Sequence, residues 1–180
     1  MNIYNQDKTK LVNSVFSKVH KNYDLMNDLM SLGVHRLWKR NLITWMNPQP
    51  ENKIIDVASG TGDLAKMISQ KNKNRNIFCC VEPNQGMFDT GKKKLRSLTN
   101  IAWYLNSAEK LPFQENTFDF YTISYGIRNV TDINQCLKEA YRVLKPGGRF
   151  FCLEFSKVEN EILKLLYQQY SKLIPLIGKF

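Results

Sequence analysis

Leu11, Val12, Val15, Phe16 and Val19 recur at helical spacing, with Lys10, Lys18 and Lys21 on the remaining faces, and predict an amphipathic helix near the start of the chain. A second helical stretch, Arg36 to Met46, ends before Pro48 and Pro50, which cannot continue it. The rhythm then changes. Lys53 to Ala58 is a short β-branched run that meets Ser59-Gly60-Thr61-Gly62-Asp63 and then a helical segment, Leu64 to Ser69. Ile77 to Val81, Ile101 to Leu105, Phe118 to Ile123 and Arg149 to Phe155 read as four further strands. Helices are predicted over Met87 to Leu98, Ile133 to Leu144 and Glu161 to Leu173, with Lys145-Pro146-Gly147-Gly148 stopping the second of these. Such alternation needs crossover connections and predicts an α/β fold with a mostly parallel sheet covered by helices on both faces. No internal repeat or low-complexity tract interrupts it.

The 180 residues suit one domain rather than two, and a chain that is 43% hydrophobic and 12% aromatic is not a mainly disordered protein. An excess of 26 Lys and Arg over 16 Asp and Glu gives a net charge of +10, suited to nucleic acid, an anionic membrane face or anionic ligands. No apolar run approaches the ~18 residues of a spanning helix, and Met1 to Lys10 is too polar for a signal peptide, so a cytoplasmic chain is expected. Cys79 and Cys80 are adjacent while Cys136 and Cys152 stand far apart, which offers no CxxC pair; buried free thiols and no metal site are expected.

Chemistry concentrates at the carboxyl ends of the predicted strands, where open α/β sheets bind ligands. The Asp56 to Gly62 segment follows the first strand, and Gly60 and Gly62 are read as letting backbone approach a ligand. Glu82 ends the second strand, where a carboxylate accepts hydrogen bonds from a vicinal ribose diol. Ser107-Ala108-Glu109 follows the third, with backbone groups able to pair with an adenine edge and Leu111, Pro112 and Phe113 flanking it. Ser124-Tyr125-Gly126 follows the fourth, facing the first turn. Ala65 stands where a dinucleotide fingerprint has its third glycine or alanine, which leaves a nicotinamide site as a second reading.

Asp56 to Gly62, Glu82, the run from Ser107 to Phe113, Phe118-Asp119 and Leu144 to Gly148 resemble the successive motifs of class I S-adenosylmethionine-dependent methyltransferases. Tyr23-Asp24-Leu25-Met26-Asn27-Asp28-Leu29-Met30-Ser31 with His35 and Trp38, Gly126-Ile127-Arg128-Asn129-Val130, and Arg142 to Gly148 running on to Leu153-Glu154-Phe155-Ser156 resemble the ubiquinone/menaquinone biosynthesis C-methyltransferases. The resemblance implies a Rossmann-like fold in which residues 1–50 form a helical N-terminal lid and 51–180 the cofactor-binding core. It implies that Thr61, Glu82, Ser107, Ala108 and Ser124, with Gly60 and Gly62 in the loop, contact S-adenosyl-L-methionine. Ser59 and Ser107 depart from the glycine and asparagine common in that family. Family members also continue past the segment matching Ile174 to Gly178 and add two strands to a seven-stranded sheet, so the core is expected to be incomplete at its C-terminus.

The activity implied is methylation of a ring carbon of a polyprenyl quinol, such as demethylmenaquinol or a 2-methoxy-6-polyprenyl-1,4-benzoquinol. Tyr23, Asp24, His35 and Arg128 are the candidates for catalysis, each with a structural alternative: a satisfied histidine, a helix cap, or an Arg128–Asp132 ion pair. The charge then suits peripheral contact with the membrane holding the quinol, on the cytoplasmic face of a bacterial inner membrane or the matrix side of a mitochondrial one, and a quinone-biosynthesis complex. The Ile162, Leu163, Leu166, Tyr170, Leu173, Ile174 stripe is read as core or as membrane contact. An RNA methyltransferase is a competing reading, opposed by the absence of an Asn/Asp-Pro-Pro-aromatic turn after the fourth strand and of a Pro-Cys pair, so nucleic acid is not expected. A non-catalytic scaffold is the other.

Overall fold

The structure, a computed structural model, describes Asp28, Ser31 and residues 33–156. Tyr23, Asp24, the first predicted helix and the apolar stripe beginning at Ile162 lie outside the described residues. Helix α1 (Val34–Met46) leads into β1 (Lys53–Val57), α2 (Asp63–Lys71), β2 (Ile77–Val81), α3 (Gln85–Lys94), β3 (Ile101–Tyr104), β4 (Phe118–Ser124), α4 (Ile133–Val143) and β5 (Leu144–Leu153). The five strands form one sheet in the order β3-β2-β1-β4-β5, and every pairing is parallel. The expected α/β architecture is therefore present, with the order reversing beside β1.

Strand alternation divides the core in two. Ile54, Phe78, Cys80 and Phe120 point to the face covered by α1 and α2, where Leu42, Ile43, Met46, Leu64, Ala65 and Ile68 meet them. Ile55, Val57, Val81, Tyr121 and Ile123 point to the other face, beneath Cys136, Ala140 and Val143 of α4. The buried positions of α1 are His35, Lys39, Leu42, Ile43 and Met46, one helical face that mixes two polar residues with three apolar ones. This part of the anticipated N-terminal lid thus forms a layer of the sheet's own core. Arg149 fixes its end: the guanidinium donates to the Met46 carbonyl at 2.8 Å and lies over the Phe120 ring, 4.8 Å from its centroid.

Two helices begin on capping side chains that the sequence supplies. Asn84 accepts from the Met87 N–H at 3.1 Å and Asp132 from the Gln135 N–H at 3.0 Å. Asp132 is therefore a helix cap, which replaces its expected role as the partner of Arg128. The Lys145 to Gly148 segment, expected as a turn before the fifth strand, is a bulge inside β5: Phe118 pairs with Leu144, and pairing resumes at Phe120 with Arg149. Asp119 secures that bulge, accepting from Lys145 Nζ at 2.6 Å and from the Lys53 N–H at 2.8 Å. Of the four free cysteines, Cys79, Cys80 and Cys136 are buried as expected, whereas Cys152 on the last strand is exposed. No helix among the described residues is long and apolar enough to cross a membrane.

Candidate functional site

The carboxyl ends of the strands are drawn together by the hydrogen bonds that prolong the sheet. Ser59 N–H donates to the Val81 carbonyl at 3.2 Å, Glu82 N–H to Tyr104 at 3.0 Å and Tyr125 N–H to Leu153 at 2.7 Å. Chain direction then changes abruptly at two neighbouring points, because Ala58 after β1 and Tyr125 after β4 both take left-handed backbone angles, φ 52° and 57°. Non-glycine residues other than asparagine seldom adopt this region, and these two stand side by side at the sheet edge where open α/β folds place ligands. Gly126 permits the approach: a Cβ there would lie 2.6 Å from the Ala58 Cβ.

Glu82 is 6% exposed and spans the glycine turn. One carboxylate oxygen accepts from the Gly60 N–H at 2.8 Å and the other from the Asn84 N–H at 2.9 Å. Burial raises its pKa, against the lowering effect of these two donors. Each oxygen keeps a second lone pair for a ligand hydroxyl. Gly62 has a different reason from the one its sequence context suggested. Its φ is +80°, and a Cβ would meet Leu95 Cδ1 at 2.7 Å and the Trp103 ring at 3.0 Å, so the space beside it belongs to packing against the protein and not to a ligand.

A cleft between the ends of β1 and β4 is lined by Asp56, Gly60, Thr61, Ser124 and Tyr125 together with Lys39 and Asp63. The structure thus brings Gly60, Thr61 and Ser124 to one place, with Glu82 directly behind Gly60. Ser107 and Ala108 follow β3, the far edge strand of the sheet, and do not line this cleft. Ser107 is exposed and Ala108 is buried. Their loop is anchored from below: Arg142 donates to the Leu111 and Phe113 carbonyls at 3.1 and 2.7 Å, and Glu139 accepts from the Leu111 N–H at 2.7 Å. Leu111 and Phe113, expected beside an adenine, pack into the core, Phe113 edge-on to Tyr104 and Phe118. Glu109 ties the same loop to the one after β4 through the Thr131 N–H at 2.8 Å.

The electrostatics of the cleft centre on Asp56, which is 2% exposed and has its pKa raised to about 7 by burial. The Thr122 hydroxyl stands 2.7 Å from Asp56 Oδ1 and 3.3 Å from the Ile55 carbonyl, so it can donate to the ionised carboxylate or, when Asp56 is protonated, to the carbonyl. Asp63 takes Lys94 Nζ at 2.7 Å and Lys39 Nζ at 3.3 Å; burial would raise its pKa, but these two ammonium groups hold it below the usual value. Two buried hydroxyls at the cleft, Ser124 Oγ and Tyr125 OH, have no hydrogen-bond partner among the described residues, an arrangement expected where a ligand supplies one. Burial and the nearby Glu154 push the Tyr125 phenol up to about 12.

Of the catalytic candidates, His35 is 4% exposed with Nδ1 2.7 Å from Ser31 Oγ and Nε2 3.9 Å from Asp28 Oδ1. Burial, then the Lys39 charge, lowers its pKa. Arg128 is exposed, pairs with Glu154 instead of Asp132, and lies over the Phe155 ring, 5.3 Å from its centroid. Phe155 in turn stacks on Tyr125 at 4.8 Å and meets Trp38 edge-on at 5.9 Å. Lys39 and Thr122 were not singled out from the sequence, and Phe155 entered only as part of the Leu153 to Ser156 run. Lys39 was detectable, since it stands four residues after His35 and seven before Met46 on the buried face of α1.

This fold, a parallel sheet with a cleft at the point where strand order reverses, is the Rossmann-like class I methyltransferase architecture. A methyltransferase from Aquifex aeolicus, described as S-adenosylmethionine-dependent, superposes with a TM-score of 0.63 at 16% identity, covering 73% of this chain and 78% of its own. The [4+2]-cyclase SpnF superposes with a TM-score of 0.67 at 18% identity over 79% of this chain and 58% of its own, so the fold alone does not decide the reaction. Sequence does so more sharply. The chain belongs to the ubiE/COQ5 methyltransferase family, whose model matches residues 3–180. It is 53% identical over 180 residues to the ubiquinone/menaquinone biosynthesis C-methyltransferase of Rickettsia bellii, covering 96% of this chain and 72% of that protein. It is 44% identical to the mitochondrial 2-methoxy-6-polyprenyl-1,4-benzoquinol methylase of Dictyostelium discoideum, covering 97% of this chain and 66% of that one.

Proposed function

We propose that this chain transfers a methyl group from S-adenosyl-L-methionine to a ring carbon of a polyprenyl quinol, the substrate class named in its two relatives. The observation that carries this reading is 53% identity extending over 96% of the chain to a quinone-biosynthesis C-methyltransferase. The cleft fits the cofactor. Glu82, which braces the glycine turn, keeps lone pairs for a ribose diol, Gly60 and Thr61 suit the methionine end, and the buried Ser124 hydroxyl lacks a partner among the described residues. Ser107 and Ala108 follow β3, on the far side of β2 from the glycine turn, and their backbone groups suit the adenine edge.

Bound there, the cofactor supplies a methyl carbon already activated by its sulfonium. The protein's own work is to hold the quinol ring in line, exclude water and favour the more nucleophilic quinolate. Arg128 is the described residue best suited to the last task, since its guanidinium stabilises a phenolate oxygen and is oriented by Glu154 and Phe155. His35 has both ring nitrogens directed at Ser31 and Asp28 and serves to orient α1. The +10 charge supports docking on the anionic leaflet that holds the polyprenyl tail.

The test is turnover of a short-tailed demethylmenaquinol by the purified protein, alongside calorimetric binding of S-adenosylhomocysteine. Arg128→Met should lower kcat by about 100-fold while leaving cofactor affinity within about twofold. Absence of methylated quinol from a protein that binds the cofactor would refute the substrate, and full turnover by Arg128→Met would refute the role of the guanidinium.

A further inference from the structure

A lysine that is only 9% exposed requires an explanation, because lysine is rarely buried unless its charge is matched. Lys39 projects from α1 into the cleft beside Asp56, Gly60, Thr61 and Ser124. Its hydrogen-bond partner among the described residues is Asp63 Oδ2, at 3.3 Å, and an ammonium group has three donors. Asp63 does not depend on it, since Lys94 Nζ approaches the other oxygen of the same carboxylate more closely, at 2.7 Å. Two ammonium groups therefore face one carboxylate. The second carboxylate of the cleft, Asp56, lies inside the sheet with its hydrogen bond from Thr122. Lys39 thus brings to the mouth of the glycine turn an ammonium group with donors left for an anion.

The cofactor in the preceding reading ends in a zwitterion. Its α-ammonium suits Asp56, and its α-carboxylate requires a cation near Gly60 and Thr61. We propose that Lys39 binds the α-carboxylate of the methionine portion of S-adenosyl-L-methionine, so that α1 selects the complete cofactor over nucleosides lacking an amino-acid end. This inference rests on the cofactor reading above. Its physical basis is a charge-assisted hydrogen bond made by a residue already held by the packing of Leu42, Ile43 and Met46 against the sheet, so little side-chain freedom is lost on binding.

The experiment compares S-adenosylhomocysteine with 5′-methylthioadenosine, which retains the nucleoside and lacks the amino acid, by titration calorimetry on the whole chain. Lys39→Met should weaken S-adenosylhomocysteine binding by about 10- to 100-fold and change methylthioadenosine binding by less than about twofold. Lys39→Arg should recover much of the loss. Should Lys39→Met fold poorly, Lys39→Arg and the wild type are compared with decarboxylated S-adenosylmethionine, which keeps the ammonium and lacks the carboxylate; both should bind it about 10-fold or more weakly than the intact cofactor. Equal losses for both ligands in Lys39→Met, undiminished S-adenosylhomocysteine binding in that variant, no preference for the intact cofactor, or selectivity abolished by Lys94→Met with Lys39→Met unaffected would each overturn the assignment. A wild-type chain that binds neither S-adenosylhomocysteine nor methylthioadenosine would instead remove the cofactor reading itself.

Discussion

Replacing Asp56 with asparagine removes a charge that the folded protein resists and the unfolded chain does not. The carboxyl is 2% exposed, and burial raises its pKa from 3.8 to about 7, with the Thr122 hydroxyl and the Lys39 charge opposing the rise. Below about pH 4 the group is protonated in both states and contributes no difference. Between pH 4 and 7 the unfolded chain ionises while the folded protein holds the proton, so the native state binds more protons and stability falls as pH rises. Above pH 7 both states are ionised and the loss is complete. A separation of about three pKa units at ~1.4 kcal/mol each gives a loss of about 4 kcal/mol across this window. Asparagine keeps the oxygen that accepts from Thr122 and has nothing to titrate. Urea denaturation of both proteins from pH 4.5 to 8.5 isolates the effect, because every other group titrates in both. The stability of Asp56→Asn relative to the wild type should climb with pH and level off above about pH 8. A difference that stays constant across that range would refute the assignment of a buried, proton-holding Asp56.

Two glycines separate backbone strain from steric crowding. Gly62→Ala must accept φ +80° and a Cβ 2.7 Å from Leu95, whereas Gly147→Ala meets φ +79° with nothing within 4 Å. The first should cost about 3 kcal/mol and the second about 1 kcal/mol in thermal unfolding, and equal costs would mean that Leu95 and Trp103 yield freely. Arg142→Met removes the donors to the Leu111 and Phe113 carbonyls and one partner of Glu139, at a cost of about 2–3 kcal/mol. Hydrogen exchange should accelerate in residues 109–117 while β1 stays protected, and unchanged exchange there would show that the loop is held by Phe113 packing alone.

The alternating apolar runs were sufficient to read the five strands, their helical crossovers and the glycine turn, because hydrophobic periodicity is a local property of a chain that buries one face at a time. Ile77 to Val81 is placed identically in sequence and structure, and the other strand and helix limits differ by a few residues where caps intervene. Glu82 was legible for a similar reason, since a polar residue ending an apolar strand beside a proline has few structural roles. The β5 bulge was not, because Lys145-Pro146-Gly147-Gly148 reads as a turn until Asp119 on the neighbouring strand is seen holding Lys145.

What tertiary structure alone decided are properties that depend on atoms distant in sequence. Gly62 looked like a ligand-facing glycine, and only the arrival of Leu95 and Trp103 beside it assigns its small size to packing. Arg128 had Asp132 four residues away, yet Asp132 is committed to capping α4 and the guanidinium finds Glu154 across the end of the sheet. Lys39 and Asp56, separated by seventeen positions, become neighbours in one cleft because α1 packs over β1. Sequence determines which residues are available and on which face each element carries them. The burial that raises Asp56, and the crowding of two lysines around one carboxylate, arise only when separate elements are pressed together and water is excluded from between them.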